Sequence, residues 1–229
     1  MKITDNLNKI RQEIRDTEKK YQRSPDSVSL LAVSKTRSVD EIMAAYDEGQ
    51  REFGENYCQE AVEKITAISN KEIIWHFIGP IQSNKTSLIA EHFDWVHTID
   101  RSKIARRLDE SRADDKPALN ICIQINISGE ESKSGIELAS VDEFIEELSQ
   151  FKRLKIRGLM ALPAPTSDFA EQRASFSTLK QKFFSLKESL PNFDTLSIGT
   201  TQDMQAAIAE GATIVRIGTA IFGPRVYKT

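Results

Sequence analysis

The chain of 229 residues is poor in the residues that build metal centres and disulfide frameworks, with two cysteines and three histidines. Cys58 and Cys122 stand far apart with no ligand spacing around them, which excludes a stapled scaffold and argues against zinc. Cys122 sits in an apolar stretch and reads as a small core residue, and both cysteines suit a reducing cytoplasm. There is no basic excess: 31 basic residues face 34 acidic ones, for a net charge of -3. A general nucleic-acid surface needs such an excess to displace counterions, so none is expected. No apolar run approaches the roughly 20 residues of a membrane span. The opening stretch, Met1-Lys2-Ile3-Thr4-Asp5-Asn6, turns polar at once and lacks the apolar core of a signal peptide. No Pro/Gly-rich or low-complexity stretch divides the chain, so residues 1–229 are expected to form one domain.

What is present is a rhythm. Ile3, Leu7, Ile10, Ile14, Thr17 and Tyr21 recur at helical spacing, and Ser24-Pro25-Asp26 ends that helix. Strands then alternate with helices. Strands are expected at Val28–Ser34, Glu52–Gly54, Ile73–Ile78, Asp94–Ile99, Ala118–Ile127, Lys155–Met160, Thr195–Ile198 and Ile214–Ile217. Ser38 with Glu41, and Ser140 with Glu143, form candidate capping boxes at two helix starts, and Gly49 and Gly211 follow two helix ends. Alternation without a hairpin signal means parallel strands joined by helical crossovers. Eight such units predict an α/β fold, a closed (β/α)8 TIM barrel with an extra N-terminal helix. No full helix follows the eighth strand, and the N-terminal helix is expected to fill that gap. The rival is an open doubly wound sheet.

The most telling residue is Lys35, at the end of Leu30-Leu31-Ala32-Val33-Ser34-Lys35. Burying an ammonium is costly, so a lysine at a barrel mouth has lost its proton, met an anion or formed a covalent bond, unless it reaches solvent along its stem. A desolvated lysine is a nucleophile toward aldehydes. Barrel sites lie at the C-terminal strand ends, with phosphate often held after strands seven and eight. There the chain supplies Gly199-Thr200-Thr201 and Gly218-Thr219, glycines and threonines that either cradle an anion or make ordinary turns and caps. Alternation in Ile214-Val215-Arg216-Ile217-Gly218 turns Arg216 inward beside that cradle, where it meets either an anionic ligand or a neighbouring carboxylate. Gly54-Glu55-Asn56 follows strand two. His76 lies within strand three, while His92 and His97 show no partner pattern.

Taken together, these segments resemble the pyridoxal phosphate homeostasis protein family. The resemblance rests on Leu31-Ala32-Val33-Ser34-Lys35-Thr36, Phe53-Gly54-Glu55-Asn56-Tyr57, Trp75-His76-Phe77-Ile78-Gly79-Pro80, Ser132-Lys133-Ser134-Gly135-Ile136 and Val215-Arg216-Ile217-Gly218-Thr219. It implies a barrel like the N-terminal domain of alanine racemase, with pyridoxal 5'-phosphate held as a Schiff base on Lys35. It carries phosphate contacts to Thr201, Gly218 and Thr219, a ring-nitrogen contact to Arg216, and a polar neighbour of the cofactor to Asn56. Lys133 matches a family loop lysine. Thr200-Thr201 stands where the family commonly has Met-Ser, which keeps the hydroxyl at Thr201. The implied role is intracellular storage, buffering and delivery of the cofactor, without catalysis. Its partners would be the cofactor and apo-enzymes awaiting it, with no nucleic acid and no membrane, and the protein would be a cytoplasmic monomer. The alternative is a minimal racemase of the same fold using Tyr57, His76 or Lys133 as a base. A third class is a Schiff-base aldolase or a sugar-phosphate barrel.

Overall fold

In the computed structural model the described residues are 2–68, 72–128 and 134–224. The elements run α1 (Ile3–Lys20), β1 (Ser29–Val33), α2 (Val39–Asp47), β2 (Glu52–Glu55), α3 (Cys58–Ala67), β3 (Ile74–Phe77), α4 (Thr86–His92), β4 (Trp95–Ile99) and α5 (Ser102–Ser111). They continue with β5 (Leu119–Ile125), α6 (Val141–Leu148), β6 (Leu154–Ala161), α7 (Phe169–Ser189), β7 (Thr195–Ser197), α8 (Met204–Ala209), β8 (Ile214–Ile217) and α9 (Thr219–Phe222). All eight strands are parallel and follow chain order around a closed barrel. Closure is made by β1 against β8, with Leu31 opposite Arg216 and Ala32 opposite Ile217. The open-sheet rival is therefore excluded.

Period-two alternation divides each strand between two environments. Ala32, Phe53, Phe77, Val96, Ile121, Leu159 and Val215 belong to the main apolar cluster between the barrel wall and its helices. Alternate positions, such as Leu31 and Met160, are buried outside that cluster. The wall is bonded at helix starts as the sequence indicates for α2: Ser38 Oγ accepts from the Glu41 amide at 3.2 Å, and Glu41 Oε2 accepts from the Ser38 amide at 2.8 Å. The second expected box does not form. Leu138–Ser140 coil into a 3-10 turn that runs into α6, which holds Ser140 near helical geometry and leaves its side chain out of the cap.

α1 completes the outer ring. It packs against α8, α9 and α2, on the side where β8 lacks a full helix. Asn6 Nδ2 donates to the Ile221 carbonyl at 2.7 Å, and Arg23, just past α1, donates to the Ile208 and Ala212 carbonyls. Among the described residues no helix is long and apolar enough to cross a membrane.

Candidate cofactor-binding site

β1 ends at Val33, and Lys35 follows in a tight turn, half-buried at the C-terminal end of the barrel. The next residue, Thr36, takes a left-handed backbone at φ 63, an unfavourable setting for a β-branched side chain. A charged cluster, buried at Glu55 and Lys64 and partly exposed at Glu60, holds this turn from behind. Glu60 Oε1 accepts from the Thr36 amide at 2.6 Å and from Lys64 Nζ at 2.5 Å. Lys64 Nζ also donates to Glu55 Oε1 and to the Ser34 carbonyl, each at 2.9 Å, and Ser34 Oγ donates to Glu55 Oε1 at 2.6 Å. Burial pushes the Glu55 carboxyl above its ordinary range, while Lys64 and the Ser34 hydroxyl pull it back. α3 supplies Lys64 and Glu60 four residues apart on one helix face.

On β8, the strand paired with β1, Arg216 is buried at 5% exposure. Its NH1 donates to the Ser197 carbonyl at 2.5 Å and to Ser197 Oγ at 2.7 Å, and its NH2 donates to the Ala161 carbonyl at 2.9 Å. These acceptors are neutral, so of the two readings of Arg216 the paired-carboxylate one is not what the geometry gives. Burial lowers its pKa to about 10, with Asp203 pulling the other way, and the guanidinium stays charged at neutral pH. Further into the barrel His97 lies between Ser197 and His76, and burial pushes both imidazoles down, His76 to about 3. His97 has partners that local sequence does not reveal. His76 is walled in at 1% exposure, away from the mouth.

The mouth itself is a cavity of about 430 Å³. Lys35, Asn56, Thr201, Arg216, Gly218 and Thr219 all line it, together with Val33, Ile78, Met160 and Leu162. Asn56 is held by a close backbone approach: a Cβ on Gly79 would come within 2.1 Å of the Asn56 carbonyl oxygen, so only glycine fits there. The Gly199 turn, at φ 96, leads into Thr200, whose amide and hydroxyl both bond Asp203 Oδ1 at 2.6 and 2.7 Å. The residue pattern starts this helix at Gln202; α8 begins at Met204 instead, with Thr201 on the cavity wall. Thr219 opens α9 directly after Gly218. An adjoining cavity of about 540 Å³ shares Asn56, Ile78 and Leu162 with the first. Lys133 lies outside the described residues. Tyr57 is 53% exposed and borders a different cavity. Among the described residues no cluster of three histidine, cysteine or carboxylate groups could hold a metal ion.

The match to known proteins is extensive. The alanine racemase N-terminal domain family matches residues 6–226. The pyridoxal phosphate homeostasis protein of Escherichia coli K12 is 51% identical over 229 residues, covering 99% of this chain and 98% of that protein. The chain belongs to the pyridoxal phosphate homeostasis protein family, within the alanine racemase N-terminal domain family. The member of this family from Haemophilus influenzae is 53% identical over 233 residues, covering 100% of this chain and 98% of its own. Among solved structures, PipY of Synechococcus elongatus with PLP bound superposes with a TM-score of 0.84 at 34% identity, over 97% of this chain and 100% of that one. Alanine racemase of Corynebacterium glutamicum shares the fold, with a TM-score of 0.71 at 13% identity over 97% of this chain and 61% of the racemase.

Proposed function

We propose that this chain binds pyridoxal 5'-phosphate at the barrel mouth through Lys35 and serves its storage, buffering and delivery rather than catalysis. The observation that carries the reading is the convergence of one amine, one buried guanidinium and two threonine turns on a single cavity. The residues fit the group. A Cβ on Gly218 would crowd the Val33 carbonyl oxygen at 3.2 Å, so the backbone there approaches the cavity bare. Asn56 Oδ1 is buried without a partner among the described residues, which leaves it an acceptor to offer. The cavity volume suits a ligand of one ring and one phosphate. Bound there, pyridoxal phosphate supplies an aldehyde that combines reversibly with amines.

In this reading Lys35 holds the aldehyde end. Thr201, Gly218 and Thr219 hold the phosphate with hydroxyl and backbone N–H groups. Arg216 meets the ring nitrogen with three of its five N–H groups already bonded inward, so its orientation is set before any ligand arrives. Its permanent charge keeps a proton off that nitrogen and weakens the ring as an electron sink. Asn56 lies beside the ring. The described lining offers no histidine, tyrosine or carboxylate opposite Lys35, which favours a carrier over a racemase. His76, one base considered for the racemase reading, is enclosed within the barrel. The names of the relatives and the PLP in PipY lend further support. We read residues 1–229 as one cofactor-binding unit, a cytoplasmic monomer whose partners are the cofactor and apo-enzymes awaiting it.

The test is direct. Purified protein mixed with pyridoxal phosphate is expected to turn yellow, and borohydride followed by peptide mass spectrometry to place the pyridoxyl mass on Lys35. Lys35→Ala is expected to lose that absorbance and that adduct. The same absorbance in the variant, with the adduct on another lysine, would refute the assignment. Amino acids incubated with loaded protein in heavy water are expected to keep their α-protons, and rapid exchange would favour the racemase.

A further inference from the structure

Behind Arg216, four side chains from four strands stand end to end inside the barrel. Ser197 Oγ accepts from Arg216 at 2.7 Å and lies 2.8 Å from His97 Nδ1. His97 Nε2 lies 2.9 Å from His76 Nδ1. His76 Nε2 faces Glu52 Oε2 at 3.9 Å, and both atoms are buried without a hydrogen-bond partner among the described residues. Glu52 opens β2 and borders a cavity of about 290 Å³ at the N-terminal end of the strands. The series runs from the mouth of the barrel to its floor.

Chemistry gives the series a direction. A guanidinium only donates, so it occupies one lone pair of the Ser197 hydroxyl. If the hydroxyl hydrogen goes to His97 Nδ1, the proton of His97 sits on Nε2 and goes to His76 Nδ1. His76 then carries its proton on Nε2, facing the Glu52 carboxylate. In the reverse arrangement His97 Nδ1–H takes the second lone pair of Ser197. The hydroxyl hydrogen is then buried with no acceptor among the described residues, and a ring lone pair faces a carboxylate. An unsatisfied buried donor and two opposed lone pairs make that state the costlier one.

We infer that Ser197, His97 and His76 are positioning residues, a one-way hydrogen-bond relay with both imidazoles neutral and protonated on Nε2, which fixes the Arg216 guanidinium at the mouth and ends with the His76 N–H facing the Glu52 carboxyl. Its effect on a bound cofactor rests on the pyridoxal phosphate reading; its existence does not. Burial and the charge of Arg216 both oppose a second proton on His97, in keeping with neutral rings.

The relay is tested in cofactor-free protein labelled with 15N, by long-range nitrogen–proton correlation of the three histidines, assigned with His92→Gln and His97→Gln. Both buried rings are expected as neutral Nε2–H tautomers. An Nδ1–H ring or an imidazolium at either position would overturn the relay. Glu52→Gln is expected to move the His76 ring resonances, and unmoved resonances would overturn the Glu52 end. Ser197→Ala is expected to speed exchange of the Arg216 guanidinium protons at least tenfold and to weaken pyridoxal phosphate binding about tenfold by absorbance titration, with Ser197→Thr recovering both. Unchanged Arg216 exchange in Ser197→Ala would overturn the positioning role. Absent cofactor binding by the unaltered protein would refute the functional reading instead, and leave ring tautomers and Arg216 exchange to decide the relay.

Discussion

Two buried polar systems flank the mouth of this barrel, and they are built on opposite principles. Behind Lys35, the cluster of Glu55, Lys64 and Glu60 sets two acidic groups on one ammonium, so opposite charges meet within the wall. Behind Arg216, the guanidinium is met by two carbonyls and a hydroxyl, and the imidazoles beyond are neutral in keeping with their lowered pKa values. The first system spends its charge internally and stiffens a turn. The second leaves a positive charge with no ion pair among the described residues, on the wall of the cavity. A cluster of opposite charges and a charge left facing a cavity can thus stand on neighbouring strands and be told apart by their acceptors.

The largest expected effect would break the first system. Lys64→Ala strands a buried carboxylate at Glu55, and about 3–5 kcal/mol of unfolding free energy is expected to go. Urea unfolding read by fluorescence measures this, and a loss below 1 kcal/mol would mean that the cluster does not stabilise the turn. A smaller effect sharpens the second. Unfolded histidine takes up a proton near pH 6.5, whereas folded His76 resists until about 3. Between those values the unfolded chain binds more protons, so stability present above pH 6.5 is lost as pH falls. The slope is about 1.4 kcal/mol per pH unit for His76, with His97 acting in the same direction. Urea midpoints from pH 7 to 5 are expected to fall less steeply in His76→Gln, and parallel curves would contradict a neutral interior. The smallest effect tests the turn itself. Thr36→Gly removes the left-handed strain at φ 63 and costs backbone entropy in return. A net gain of about 0.5 kcal/mol is expected, and a loss would show that the threonine side chain stabilises the turn.

Much of this was readable in advance, for physical reasons. Strand alternation turned Arg216 inward, and the ordered glycine-threonine turns marked the ends of β7 and β8, because both signals are local in sequence. Lys35 was legible from its place after an apolar run. Other parts were not. His97 and Ser197 are 100 positions apart and meet across the barrel interior, so no spacing in the chain announces them. The cap expected at Ser140 failed because a 3-10 turn took the backbone first, a local competition that the residue pattern does not rank. Asp203 folds back on the Thr200 amide and hydroxyl, and α8 begins only after it, a local turn that the residue pattern does not rank against the helix.

Closure of β1 on β8 has a consequence for how the molecule comes into being. Lys35 and Arg216 are made some 180 residues apart and face one cavity only once the last strand has docked on the first. A ribosome must therefore release the whole stretch between them before the two sides of the cavity meet, and α1 waits for α8 and α9 to cover it. The cavity arrives with the eighth strand or not at all.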